Sequence, residues 1–377
     1  MGEEARSGLM EMSLWCPSSL LPLLILLSLH FQLAPCVPDP DGFFAQVPPI
    51  GAPGPLAGAI PALYVLGDSL VDSGNNNYLN TKAKADQPPY GIDFDGHPNG
   101  RFTNGRTTAD FIAQLNALPY PPPFMGLSEA QKKSTRTGVN YASGSCGILP
   151  ETGSVFGGCL SLDKQIDLLE STIKNDLPPQ FDNSQQLTDH LSAALFFVHV
   201  GGNEFQISPA TVLSADILAP YLVDELVKRV QRLYELGARK FLVANVGPVG
   251  CLATVFSLQD RCFQPINSAI SKYNTVLMER IYELPSIFPG STFVHLDGFQ
   301  YISKLIDFPN EFGFESPSIP CFTSANPTTV CQNRSSHIYF DGVHPTQFIH
   351  FNVAKACFQD PSICTPLTLR QLLSHHA

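Results

Sequence analysis

The sequence predicts an α/β fold around a central, mostly parallel sheet of about five strands, and three observations predict it. Short apolar runs recur along the chain, amphipathic stretches of helical period lie between several of them, and no change in composition divides the region that contains them. Strands alternating with helices bury a parallel sheet on both faces, which is why such strands read as continuously apolar.

The runs fall at 62–66, 138–142, 194–200, 240–246 and 292–296. The helical stretches fall at 107–116, 162–175, 221–236 and 266–284, and a final helix is expected at 347–358. In 221–236, Leu222, Val223, Leu226, Val227, Val230, Leu233 and Tyr234 recur at spacings of three and four and make one apolar face. Residues 62–365 therefore form one expected domain. Residues 37–61 are rich in Pro, Gly and Ala and read as a linker without regular structure, and 366–377 read as a tail containing His375 and His376.

The first 36 residues read as a secretory leader, with cleavage somewhere between 34 and 46. Their apolar core, LLPLLILLSL at 20–29, is too short to cross a bilayer, which takes roughly 20 apolar residues. The preceding segment is unusually long and acidic, with Glu3, Glu4 and Glu11 against Arg6, so initiation at Met10 or Met12 would give a more ordinary leader. No later stretch has the length and apolarity of a membrane span, so stable membrane insertion is not expected. The net charge of −11 is scattered, with no Lys- or Arg-rich run, which argues against nucleic acid and anionic lipid surfaces as partners.

Ten cysteines are present. Cys16 and Cys36 belong to the leader and its edge. The other eight lie as close neighbours: Cys146 with Cys159, Cys251 with Cys262, Cys321 with Cys331, and Cys357 with Cys364. In a secreted chain these are candidate disulfides, paired by proximity alone. Neither Cys-x-x-Cys nor His-x-x-x-His occurs, so no metal site is expected. Asn333-Arg334-Ser335 is a candidate glycosylation sequon.

In parallel sheets, ligands bind beyond the carboxyl ends of the strands, so the residues after each run carry the functional argument. The first run ends in Gly67-Asp68-Ser69-Leu70. A serine there is on its own an ordinary turn residue, and becomes a nucleophile only when a base takes its proton. The third run ends in Gly201-Gly202-Asn203-Glu204, where an Asn amide could face a developing oxyanion. Near the C-terminus, Asp341 and His344 stand three apart, so that both can reach one point. A carboxylate in that position fixes an imidazole's tautomer.

The order Ser, Asp, His, with Gly-containing turns between, resembles the GDSL family of the SGNH hydrolases, and in particular its plant esterase/lipase branch. Five stretches carry the resemblance: Leu66-Gly67-Asp68-Ser69-Leu70-Val71-Asp72-Ser73-Gly74-Asn75-Asn76, Asn104-Gly105-Arg106-Thr107, Gly138-Val139-Asn140-Tyr141-Ala142-Ser143-Gly144, Gly201-Gly202-Asn203-Glu204, and Asp341-Gly342-Val343-His344-Pro345-Thr346. It extends from about Tyr64 to Cys364. It implies a flavodoxin-like three-layer sandwich and a secreted serine esterase or lipase acting on carboxylic esters of small molecules or lipids, without a cofactor. Ser69 would attack the carbonyl, His344 would act as base and then acid, and Asp341 would orient His344. The backbone N–H groups of Ser69 and Gly144 and the side chain of Asn203 would form the oxyanion hole. Where the family carries Gly-Gly, this chain has Gly144-Ser145, so Ser145 is the alternative donor. Glu204 stands where the family has Asp, and Phe340 where it often has Trp.

An acyltransferase using the same triad, or an inactive lipid- or glycan-binding relative, are the alternative functions. The nucleophile elbow of ordinary α/β-hydrolases is absent, since no serine has Gly at both −2 and +2. His199 reads as a core imidazole. His295 and Asp297 could line a cleft edge, and Asn75-Asn76-Asn77 reads either as part of the substrate mouth or as a hydrogen-bonded turn.

Overall fold

A computed structural model of the chain describes residues 46–374, except 53, 57, 208–213, 256–261 and 324–328. The expected leader, Cys16, Cys36, His375 and His376 lie outside the described residues.

Five strands form one sheet in the order β1-β2-β3-β4-β5: β1 Leu63–Gly67, β2 Leu195–His199, β3 Lys240–Ala244, β4 Thr292–Leu296 and β5 Cys364–Thr365. The first four pair in parallel and β5 pairs antiparallel to β4. β1 and β3 are buried along their whole length, Lys240 at the start of β3 included, as strands of a sheet covered on both faces are. The principal helices are α1 Thr108–Leu115, α2 Leu162–Ser171, α3 Ser184–Ala193, α4 Gly202–Ile207, α5 Ala215–Glu235, α6 Gln264–Ile287, α7 Gly298–Asp307, α8 Gln347–Gln359 and α9 Leu369–Ser374. Among the described residues, no helix is long and apolar enough to cross a membrane.

One strand differs from the sequence expectation. Segment 138–142 lies beside β1 and exchanges backbone bonds with it, Val65 N–H to Val139 O and Tyr141 N–H to Val65 O. Yet it makes only isolated bridges, Asn140 with Val65 on one side and with Pro123 on the other. On its other side the Asn140 N–H bonds Pro122 O and its O accepts from Phe124 N–H, and its side chain bonds Val71 O and Ala142 N–H, so the segment runs between β1 and 122–124 in single bridges. Counted as a strand, this segment would give the order 2-1-3-4-5, the doubly wound arrangement of flavodoxin-like sheets. The fifth true strand is instead β5, tied to α8 by the Cys357–Cys364 disulfide.

The two end segments are better anchored than their composition predicts. Pro48 O accepts from Arg106, Pro49 O and Ala52 O accept from Gln114, and Ile60 is fully buried. In the segment expected as a tail, α9 buries Leu369, Leu372 and Leu373. Their spacing of three and four puts all three on one helical face, so the segment packs as part of the domain.

α1 begins with a capping box in which Thr107 and Asp110 satisfy each other's backbone. Asp110 also receives two bonds from the buried Arg101, at 2.7 and 2.8 Å, and Arg101 reaches Ser73 O. A bidentate pair of this kind, buried on both sides, ties α1 to the segment that follows the β1 turn.

Candidate active site

The site is assembled where β1 and β2 end. Gln165 on α2 grips Gly67 from both sides, accepting from its N–H and donating to its O, each at 2.8 Å. A side chain at Gly67 would meet His199 O at 2.2 Å, so only glycine permits the tight departure from β1. Asp68 N–H then bonds His199 O and Leu70 N–H bonds Asp68 Oδ1, leaving Ser69 at the rim of the cleft.

Ser69 Oγ lies 2.9 Å from His344 Nε2, and His344 Nδ1 lies 2.7 Å from Asp341 Oδ2. The tautomer follows from the partners. An ionised carboxylate only accepts, so neutral His344 carries its proton on Nδ1, and Nε2 is free to accept from the Ser69 hydroxyl. Asp341 Oδ1 takes the N–H groups of Val343 and His344 at 2.7 and 2.6 Å. Burial pushes the Asp341 carboxyl up, but the imidazole beside it and these hydrogen bonds outweigh burial and hold it below its ordinary value. The arrangement can move a proton from a serine hydroxyl to an imidazole whose resulting charge a fixed carboxylate stabilises.

Asn203, in the first turn of α4, donates from Nδ2 to Cys146 O at 2.8 Å. An amide nitrogen has two hydrogens, so this bond fixes the side chain and leaves one for a ligand. Gly144 requires a correction. Its N–H donates to Asp72 Oδ2 at 3.0 Å, so it is not free to stabilise an oxyanion. The next residue, Ser145, holds a left-handed backbone at φ 69 and buries an unpartnered Oγ. Its N–H makes no hydrogen bond among the described residues, which makes it the remaining donor of this loop. Cys146, bonded to Cys159, follows directly.

Asp72 organises the floor, accepting from Gly74, Asn75 and Gly144 N–H. Burial pushes its carboxyl up to about 6, and that of Asp68 up to about 7. Asn75 and Asn76 are fully buried and face no substrate mouth. Asn75 bonds Asn140 O and Ala142 O, and Asn76 bonds Ala83 O and Gly144 O, so the run acts as the hydrogen-bonded turn. His295 is buried in β4, and Asp297 caps α7 and bonds Asn245. Neither lines the cleft.

The cleft beside Ser69 and His344 is walled by Val200, Val246, Val249, Leu252, Leu296, Ile302, Ile349 and Val353. His199 and His350 also line it, contrary to the reading of His199 as a core residue. Burial lowers His199 to about 4 and His350 to about 3, so both are neutral and add no charge to an apolar surface. Among the described residues, no cluster of His, Cys, Asp or Glu could hold a metal ion.

The family model for the GDSL-like lipase/acylhydrolase matches residues 63–357. The chain belongs to that family. GDSL hydrolases of Arabidopsis thaliana resemble it over most of its length. One esterase/lipase is 36% identical over 82% of this chain and 88% of its own. A second is 32% identical over 95% of this chain and 97% of its own. GDSL esterase/lipase 7 is 34% identical over 81% of this chain and 88% of its own. As a GDSL family member, the protein is a hydrolase of carboxylic esters, and its five-stranded, mostly parallel sheet fits the SGNH hydrolase fold.

The remaining expected disulfides, Cys251–Cys262 and Cys321–Cys331, are also bonded in the structure of this GDSL hydrolase. Three contributors to the site gave no signal in the sequence. Gln165, Tyr90 and Phe102 reach it only through the tertiary fold, Tyr90 by donating to Asp341 Oδ2 and Phe102 by lying 5.0 Å from the His344 ring.

Proposed function

We propose that the protein is a secreted serine esterase or lipase that cleaves acyl esters through Ser69, His344 and Asp341. The observation that carries this reading is the continuous relay from Ser69 Oγ to His344 Nε2 and from His344 Nδ1 to Asp341 Oδ2, at 2.9 and 2.7 Å. Ser69 attacks the ester carbonyl while His344 takes its proton, and the carbonyl oxygen gains the negative charge. Ser69 N–H, the Asn203 amide and Ser145 N–H are the donors proposed to receive it. Collapse forms the acyl-enzyme and expels the alcohol, which takes its proton from His344. Water, activated by the same imidazole, then releases the acid. Four disulfides support residence in an oxidising compartment, and the exposed Asn333 is open to glycosylation there.

A fluorophosphonate probe tests the nucleophile. Wild-type protein is expected to label covalently and Ser69→Ala not at all. An unlabelled, well-folded wild type would remove the serine-esterase reading.

The aliphatic walls favour an acyl chain over a carbohydrate as the group held beside Ser69. Val353→Phe is expected to narrow this wall, and a pocket discriminates at about 1–3 kcal/mol per methylene. Turnover of a palmitoyl nitrophenyl ester should then fall about tenfold or more while the acetyl ester is little changed. Equal loss on both esters would place the acyl chain elsewhere.

A further inference from the structure

We propose that Tyr90 is a positioning residue that holds the Asp341 carboxylate in line with His344. The inference rests on the triad reading above and concerns how that triad is kept in register.

Asp341 receives its hydrogen bonds unequally. Oδ1 is held by two N–H groups of its own turn, those of Val343 and His344. Oδ2, the oxygen that faces His344 Nδ1, has one further donor, the Tyr90 hydroxyl at 2.7 Å. The turn therefore fixes one oxygen by local geometry. The oxygen that meets the imidazole is fixed from a segment far away in sequence.

That segment is built to deliver the hydroxyl. The edges and faces of Phe102, Phe322 and Phe340 surround the Tyr90 ring, with centroids 6.2, 5.4 and 5.8 Å away. Phe340 immediately precedes Asp341, and Phe102 packs on His344, so one aromatic cluster locates both the phenol and the groups it serves. Further along, Thr103 Oγ1 donates to Pro345 O at 2.9 Å, and Asn104 Oδ1 accepts from Gln347 N–H at 2.8 Å. A side chain at Gly105 would meet Gln347 Oε1 at 2.2 Å. The Asn104-Gly105-Arg106-Thr107 motif thus receives a physical role as the opposite edge of the cradle that holds the Asp341–Gln347 turn. Burial and the neighbouring carboxylate push the Tyr90 phenol far above its ordinary range, so it stays protonated and donates.

The test uses the full chain. Tyr90→Phe keeps the ring and its packing and removes one donor to a charged acceptor. It should lower kcat on a short-chain nitrophenyl ester about tenfold and leave KM within about twofold. Proton NMR of the far-downfield imidazole resonance supplies a readout that packing alone would not move. With Tyr90 gone, Oδ2 accepts more strongly from His344 Nδ1, and the resonance moves downfield. A 3-fluorotyrosine at position 90, a stronger donor of the same shape, should move it upfield. A folded Tyr90→Phe protein with kcat within about twofold of wild type and an unmoved resonance would overturn the proposal. If the wild type shows no Ser69-dependent turnover, the triad reading fails. The resonance still decides whether Tyr90 acts on Asp341, so the two failures are distinguishable.

Discussion

His344→Ala is expected to lower kcat by about 10⁴- to 10⁶-fold, the range in which a serine hydrolase loses its base. The size follows from the geometry. His344 is the partner of the Ser69 hydroxyl at 2.9 Å, and no second titratable side chain bonds Ser69 Oγ among the described residues. Without it the hydroxyl must ionise against bulk water, and the leaving alcohol loses its acid. KM should change little, since the imidazole acts on the transition state more than on the bound ester. The sharper test is the double variant. Groups that act as one relay are strongly non-additive, so Ser69→Ala with His344→Ala should be no slower than the worse of the two single variants. Steady-state turnover of a short-chain ester measures all three. A loss under about tenfold in His344→Ala, or losses that multiply in the double variant, would dissolve the proposed relay.

This relay was the most legible part of the site because two of its members are local. Asp341 and His344 share one turn, and Ser69 follows an apolar run that had to be a buried strand. The resemblance supplied the pairing between the two ends of the chain. What escaped the sequence depends on side chains far apart. The Gly144 N–H could be assigned to the oxyanion only while the reach of Asp72 was unknown. Tyr90 acts through a partner near the other end of the chain, and no local pattern marks it.

The fold follows the same rule. Long periodic segments such as α5 and α6 appear where the sequence predicts them, α5 starting six residues earlier and ending one residue earlier than expected and α6 extending two residues at its start and three at its end. Segment 138–142 has a strand's composition and lies between β1 and 122–124, but it pairs with each through a single bridge at Asn140. β5 has two residues, below the length at which any period can be read.

A second large effect is expected from Asn203→Ala. One preorganised oxyanion donor is commonly worth about 2.7–4 kcal/mol, so kcat should fall about 10²- to 10³-fold with KM little changed. The side chain has a second role, because its bond to Cys146 O anchors the loop that carries Ser145. Leaving that carbonyl unpaired costs about 1–3 kcal/mol of stability, which urea unfolding would register. The two roles separate by readout, turnover against urea stability, and Asn203→Asp reports both because it loses both amide hydrogens. A carboxylate has nearly the same shape but cannot donate, and its charge opposes the oxyanion, so its kcat should be no better than that of the alanine variant. If Asn203→Asp retained turnover within about tenfold of wild type, the amide would have no catalytic role, and a loss of stability in urea would leave it as a loop anchor alone. Stabilisation of the oxyanion would then rest on the backbone N–H groups of Ser69 and Ser145. The predicted result, a catalytic loss much larger than the stability loss in both variants, would assign the free hydrogen of Asn203 to the transition state.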